Sequence, residues 1–112
     1  MYHGKLYYEE GNDVFTVDRF IDRGHEVAFS GSTTWENEGE WEIDATAQKE
    51  GDSYITPPTP SKQKISNQTC SDEAVITIKI IHRTASSLAV EGSWEEAGDT
   101  YEFKGELVIC KT

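Results

Sequence analysis

Hydrophobic and polar residues alternate along most of this chain, and no segment has the three-to-four-residue spacing of an amphipathic helix. The alternation is longest between Glu38 and Gln48, where glycine or apolar residues occupy every second position. Successive side chains of a strand point to opposite faces of its sheet. This segment therefore predicts a strand with one apolar face and a row of carboxylates, Glu38, Glu40, Glu42 and Asp44, on the other.

Further segments have the composition or alternation of strands, and most are short and rich in aromatic and β-branched residues. They are Leu6–Tyr8, Val14–Ile21, Val27–Gly31, Ala74–His82, Leu88–Trp94 and Tyr101–Ile109. Glycine beside a polar residue predicts tight turns between them, at 10–13, 22–25, 50–53 and 97–100.

About eight strands joined by hairpin turns predict an all-β fold, an antiparallel up-and-down meander. We expect it to close into a small barrel of the general lipocalin or avidin shape, with a β-sandwich as the alternative. The comparison is one of architecture only, because no motif assigns the chain to a family. The length of 112 residues fits a single domain, residues 1–112.

One segment interrupts the alternation. Residues 56–72 contain three prolines, many polar residues and almost no apolar ones. Long connections without secondary structure are usually functional or disordered. We predict a long flexible loop here, and it carries a local pair of cations, Lys62 and Lys64.

The formal net charge is −11, and most of it lies in the first half of the chain. Residues 1–60 contain 13 acidic and 4 basic residues, a net charge of −9, whereas residues 61–112 contain 8 and 6, a net charge of −2. Such a field repels nucleic-acid phosphates. It could instead steer a basic protein or peptide towards the chain.

Motifs of catalysis and cofactor binding are missing from the sequence. It has no glycine-rich phosphate loop, no paired-cysteine zinc pattern and no nucleophile elbow. An EF-hand placed on Gly39 would need ligands from Thr34 and Ala45, and neither can serve. We therefore expect a protein that is not an enzyme and that uses no cofactor or metal.

Two functions are compatible with this pattern. The first is a non-catalytic interaction module, of inhibitor, adaptor or immunity type, that presents an acidic face to a basic partner. Its partner-binding residues would be the carboxylate row and Trp35, which lies in a polar connection. A row of solvated carboxylates can also serve only to keep a strand from pairing with other chains.

The alternative is a barrel that binds a small ligand among inward aromatic side chains. Trp41, Trp94 and Tyr101 would line that interior, since all three alternate with outward acidic or polar residues. Inward tryptophans are, however, more often part of a packed core.

The compartment and the state of the cysteines are only weakly constrained. The first residues lack the pattern of a secretory signal, and no apolar stretch is long enough to cross a bilayer, so we expect a cytoplasmic protein with no membrane contact. A secreted or periplasmic protein whose leader had been removed would look the same. Cys70 and Cys110 could form a disulfide or remain thiols, and the sequence leaves both open.

Overall fold

The alternating segments form strands, most of them longer than the sequence pattern predicts. The computed structural model describes residues 1–11, 13–35 and 39–110. Its strands are β1 (Tyr2–Tyr8), β2 (Val14–Asp22), β3 (Glu26–Trp35), β4 (Gly39–Glu50), β5 (Ser53–Ile55), β6 (Thr59–Gln63), β7 (Thr69–Arg83), β8 (Ser87–Glu96) and β9 (Asp99–Ile109).

All pairings between these strands are antiparallel, and they close into a barrel with eight strand positions. The sheet order is β3-β2-β1-β9-β8-β7-β5-β4-β6, and β3 also pairs with β4. The first and last strands are neighbours, with Gly4 opposite Leu107. The predicted all-β meander and closed barrel are therefore confirmed, and the β-sandwich is not formed because pairing is continuous around the molecule.

The predicted turns at 22–25, 50–53 and 97–100 connect these strands, and the one at 10–13 includes Asn12, which lies outside the described residues. Gly51 and Gly98 have positive φ angles of 65° and 84°, a conformation that glycine adopts without the steric cost of a Cβ atom. The hairpins between β4 and β5 and between β8 and β9 depend on these positions.

The predicted loop at residues 56–72 is wrong as a description of the backbone, because it contains β6 and the first residues of β7. β5 and β6 share one position in the barrel, between β4 and β7, and both are antiparallel to these neighbours. Proline in a strand is tolerated at irregularities. The register of β6 against β7 shifts between Pro60 and Lys62. This irregularity accommodates the proline ring of Pro60, although proline was one reason to predict a loop here.

Thr56 joins the two short strands to β7. Its backbone N–H donates a hydrogen bond of 3.0 Å to the carbonyl oxygen of Ile76, and its hydroxyl oxygen accepts one of 2.9 Å from the Ile76 N–H. On the other side, β4 pairs with β5 only at Gln48–Glu50 and with β6 only at Trp41–Glu42. The ladder between β4 and this shared position is therefore interrupted along residues 43–47.

The barrel interior is filled by side chains from every position of the sheet. Phe15 lies at its centre, where its ring makes edge-to-face contacts with Phe29, Trp94 and Phe103 at centroid distances of 6.2, 5.6 and 5.8 Å. The largest fully buried side chains are Trp94, Phe15, Phe20, Phe29, Phe103, Leu6, Ile76, Ile78, Leu88, Leu107, Val27 and Val90. Burial of this much apolar surface provides the main stabilisation of the fold.

The two ends of the barrel differ. At the end that carries the β2–β3, β4–β5 and β7–β8 turns, an ion pair between Asp22 and Arg83 joins β2 to β7. The Tyr54 hydroxyl adds a hydrogen bond of 2.9 Å to the Gly24 carbonyl oxygen at the same end. The opposite end carries the β1–β2, β6–β7 and β8–β9 connections.

Candidate functional site

The predicted carboxylate row lies on the outer face of β4. Glu42 and Asp44 are exposed and Glu40 is half-buried, while Ile43 between them faces the core. Glu38 lies outside the described residues. The alternation therefore places Glu40, Glu42 and Asp44 on one face, as the sequence predicts.

Two lysines of β6 and the turn after it lie against this row. Lys62 is directly opposite Glu42 in the register of β6 with β4, and the Lys64 ammonium is 3.3 Å from Glu40 Oε1. Hydrogen bonds from the Ser32 hydroxyl and the Lys64 ammonium hold the pKa of Glu40 below its ordinary value. The negative charge of the row is therefore partly neutralised within the molecule.

An open groove of about 480 Å³ follows the interrupted ladder beside the row. Its walls include Asp18, Glu42 and Asp44, but also Lys62 and Pro60. The groove has mixed charge. The backbone of the other predicted contact residue, Trp35, pairs with Gly39 at the end of β3, and its side chain lies outside the described part of the chain.

A group of six acidic residues lies at the end of the barrel formed by the β1–β2, β6–β7 and β8–β9 connections. Two depressions open there and share Tyr101 as a wall. We call this region the acidic end. The carboxylates lining the first depression are Glu9, Glu10 and Glu102, and those lining the second are Asp72, Glu96 and Asp99.

The acidic end differs from the grooves on the barrel wall in its lack of local cations. Among the described residues that line its two depressions there is no lysine or arginine. By contrast, the groove beside β4 is lined by Lys62, and a groove across β7, β8 and β9 is lined by Lys79 and Lys104. Glu9 and Glu102 also line the groove across β7, β8 and β9, so these two acidic residues share that groove with Lys79 and Lys104. The described lining of the acidic end itself contains acidic residues and no basic one.

Two of the three aromatic residues predicted to line a ligand site meet at this end. Trp41 is half-buried, Tyr101 is 37% exposed, and both line the second depression, which has a volume of about 610 Å³. Trp94 is not accessible there: it is 0% exposed and packs in the core against Phe15. The aromatic site is thus a surface depression at the mouth of the barrel, with the core beneath it.

Tyr8 supports the floor of the acidic end. Its ring packs edge-to-face on Tyr101 at 6.4 Å and on Phe103 at 5.9 Å, and its hydroxyl lies 3.1 Å from the Thr33 hydroxyl. Burial raises the pKa of the Tyr8 phenol well above its ordinary value, and the charges of Asp13 and Glu96 raise it further, against the opposing effect of the Thr33 hydrogen bond. Tyr8 is therefore a neutral structural residue.

Sequence reasoning did not find the acidic end, although most of its residues lie in or beside the predicted turns at 10–13 and 97–100. Glu9 and Glu10 follow β1, Asp72 lies near the start of β7, and Asp99 begins β9. In an antiparallel meander, alternate connections lie at the same end of the sheet. If the strand order is assumed, the acidic residues beside every second connection are therefore expected at the same end of the barrel.

The remaining candidate chemistry is limited. Cys70 and Cys110 are free thiols; Cys70 lines the second depression, whereas the Cys110 N–H donates to the Met1 carbonyl oxygen at the other end of the barrel. In the described ranges, no group of three or more His, Cys, Asp or Glu residues could hold a metal ion. No helix long and apolar enough to span a membrane occurs in the part of the chain that the structure describes.

Comparisons with known proteins give no family for this chain. No protein-family model matches it, and a search among curated proteins finds no significant match.

Proposed function

We propose that this protein is a non-catalytic interaction module that binds a basic protein or peptide at the acidic end of its barrel. The observation that carries the proposal is the grouping of six carboxylates around two adjoining depressions whose described lining contains no lysine or arginine. Carboxylates grouped in this way create a field that attracts a partner of opposite charge. The net charge of −11 extends that attraction to long range.

The outer face of β4 has less support as the docking surface. Glu40 is paired with Lys64 at 3.3 Å, and Glu42 lies opposite Lys62, so a partner would have to displace these lysines or accept a weaker field. Asp44 is the member of the row farthest from both pairs along the strand. The row is accordingly the comparison surface in the experiment below.

A small ligand enclosed among inward aromatic side chains also has less support. Trp94 is 0% exposed, and its ring lies 5.6 Å from that of Phe15, so a ligand could touch Trp94 only after the core had opened. Interiors packed in this way resist such opening, because each displaced aromatic side chain forfeits its contacts.

The test compares two triple variants that each remove three charges while keeping side-chain shape. The first, Glu10→Gln, Asp99→Asn and Glu102→Gln, changes exposed residues of the acidic end. The second, Glu40→Gln, Glu42→Gln and Asp44→Asn, changes the row on β4. The probe is an end-capped, fluorescently labelled peptide of alternating lysine and glycine, and its association rate is measured by stopped flow at several salt concentrations.

We expect the variant of the acidic end to associate about tenfold more slowly than the wild type at low salt, and the row variant to change much less. Added salt should slow the wild type towards the rate of the first variant, because screening removes the same attraction. Equal losses in the two variants would mean that only net charge matters. A loss confined to the row variant would move the docking surface to β4 and refute the acidic end.

A further inference from the structure

The aromatic depression at the acidic end has a chemical character that charge alone does not explain. Trp41 comes from the start of β4 and Tyr101 from the start of β9, so strands from different parts of the barrel place two partly exposed aromatic side chains in one wall. Large aromatic side chains of small barrels are usually buried, as Trp94 is here. The depression therefore exposes aromatic surface that the core does not use.

Polar groups of the same depression favour a cation over an apolar or anionic ligand. Its lining includes the acidic residues Asp72, Glu96 and Asp99 and the polar residues Gln63 and Gln68. Cations bind over the faces of tryptophan and tyrosine rings, and a nearby carboxylate adds Coulomb attraction. Acidic residues in the lining repel an anion and attract a cation.

We propose that the Trp41–Tyr101 depression receives the cationic side chain of a lysine or arginine from the basic partner. This inference rests on the proposed function and specifies how the partner is recognised. The alkyl part of the side chain would contact the aromatic rings, and its charged head would lie near the exposed residues Asp72 and Asp99. The volume of about 610 Å³ is large enough to accept one such side chain together with part of its backbone.

The test uses aromatic variants that leave the net charge unchanged. Trp41→Leu and Tyr101→Leu each remove one ring from the depression, and Tyr7→Leu is the matched control, because Tyr7 is a 55% exposed tyrosine on the outer face of β1. Affinity for the lysine–glycine peptide is measured by fluorescence anisotropy for all three. Thermal unfolding of each variant is recorded, and affinities are compared below its transition.

We expect Trp41→Leu and Tyr101→Leu each to weaken binding about fivefold to tenfold, and Tyr7→Leu to bind as the wild type does. The salt dependence of binding should be unchanged in the aromatic variants, because they remove no charge. A second peptide in which norleucine replaces lysine keeps the alkyl chain but not the charge. The wild type should bind the norleucine peptide far more weakly than the lysine peptide. Trp41→Leu and Tyr101→Leu should bind the norleucine peptide about as weakly as the wild type does.

The outcomes separate this inference from the proposed function. If peptide binding depends on the carboxylates of the acidic end but Trp41→Leu and Tyr101→Leu bind as the wild type, the aromatic recognition is wrong and the acidic docking surface stands. If the carboxylate variant also binds as the wild type, both proposals fail. If the wild type binds the norleucine peptide as tightly as the lysine peptide, the proposed preference for a cation is wrong.

Discussion

Lys62 lies directly opposite Glu42 in the pairing of β6 with β4, although the sequence pattern assigns one residue to a loop and the other to a strand. Lys64, two residues further along the chain, forms an ion pair with Glu40 of β4, with 3.3 Å between Nζ and Oε1. Part of a segment with the composition of a flexible connection is thus a strand, and Lys62 within it and Lys64 just after it lie beside the acidic row. Because Lys62 lies in a paired strand, we expect it to be less sensitive to proteases than a residue of a flexible loop. Because two lysines lie beside the acidic row, we expect the row to be a weaker binding surface for a basic partner.

Trypsin should distinguish the two lysines. Lys62 lies within β6, which pairs with β4 and β7, whereas Lys64 begins the exposed 64–68 turn, in which Ile65 is 98% exposed. A protease needs an accessible, locally unfolded segment. We expect the first cut of the folded protein in this region to fall after Lys64, as identified by mass spectrometry of early digests. Prior cleavage after Lys62 would indicate that β6 is not held in the sheet.

The tryptophans should contribute unequally to stability. Trp94→Ala removes a 0% exposed side chain from the centre of the core and should lower the free energy of unfolding by about 3–5 kcal/mol. Trp41→Ala removes a half-buried side chain at the mouth of the barrel and should cost about half of that or less. Urea unfolding of both variants tests the difference. Equal costs would show that Trp41 belongs to the core, and would weaken its assignment to a binding site.

Gly92 is required by the close approach of two neighbouring strands. A Cβ atom at this position would lie 1.9 Å from the Thr77 carbonyl oxygen and 3.0 Å from the ring of Phe103. The backbone oxygen cannot move without disturbing the pairing of β7 with β8. We expect Gly92→Ala to lower the free energy of unfolding by about 3 kcal/mol, as severe overpacking does.

The control for Gly92→Ala is Gly51→Ala, at a turn where no atom lies within 4 Å of the added Cβ and φ is +65°. Conformational strain alone should cost about 1 kcal/mol there. Chemical denaturation of the two variants separates steric overlap from backbone strain. If Gly92→Ala lowers the free energy of unfolding no more than Gly51→Ala does, the close packing of Thr77 and Phe103 against Gly92 is wrong.

The pair of Asp22 and Arg83 should make part of the stability depend on pH. Partial burial of the Asp22 carboxylate would by itself raise its pKa, but hydrogen bonds from the Arg83 guanidinium and the Gly24 N–H outweigh burial and hold the pKa below its ordinary value. A carboxyl group whose pKa falls on folding stabilises the protein above its unfolded-state pKa of about 3.9. That contribution is lost as the pH falls through the lower, folded-state value.

Asp22→Asn keeps an oxygen acceptor for Gly24 but removes the charge. The variant should be less stable than the wild type by up to about 1 kcal/mol at neutral pH, since Arg83 is largely exposed. The difference between the two proteins should shrink as the pH is lowered from about 5 to 3. Unfolding curves measured across this range provide the test, and a difference that does not change with pH would exclude the ion pair as its source.

Local sequence determined the strands with an apolar face and the glycine turns between them. The alternation around Trp94 predicts its burial because strand geometry by itself sends every second side chain to the same face. Glu40, Glu42 and Asp44 lie together on the outer face of β4 for the same reason. These properties depend on residues close together in the chain, so a pattern of period two is enough to predict them.

The tertiary structure alone decided which distant residues meet. β6 has little apolar content, and it is held by pairing with strands on both sides, which no local pattern encodes. The closed register of the barrel places Lys62 against Glu42, brings Trp41 and Tyr101 into one depression, and leaves Trp94 in the core. Register depends on packing and on irregularities such as the shift at Pro60–Lys62, and one residue of slippage would send each side chain to the opposite face.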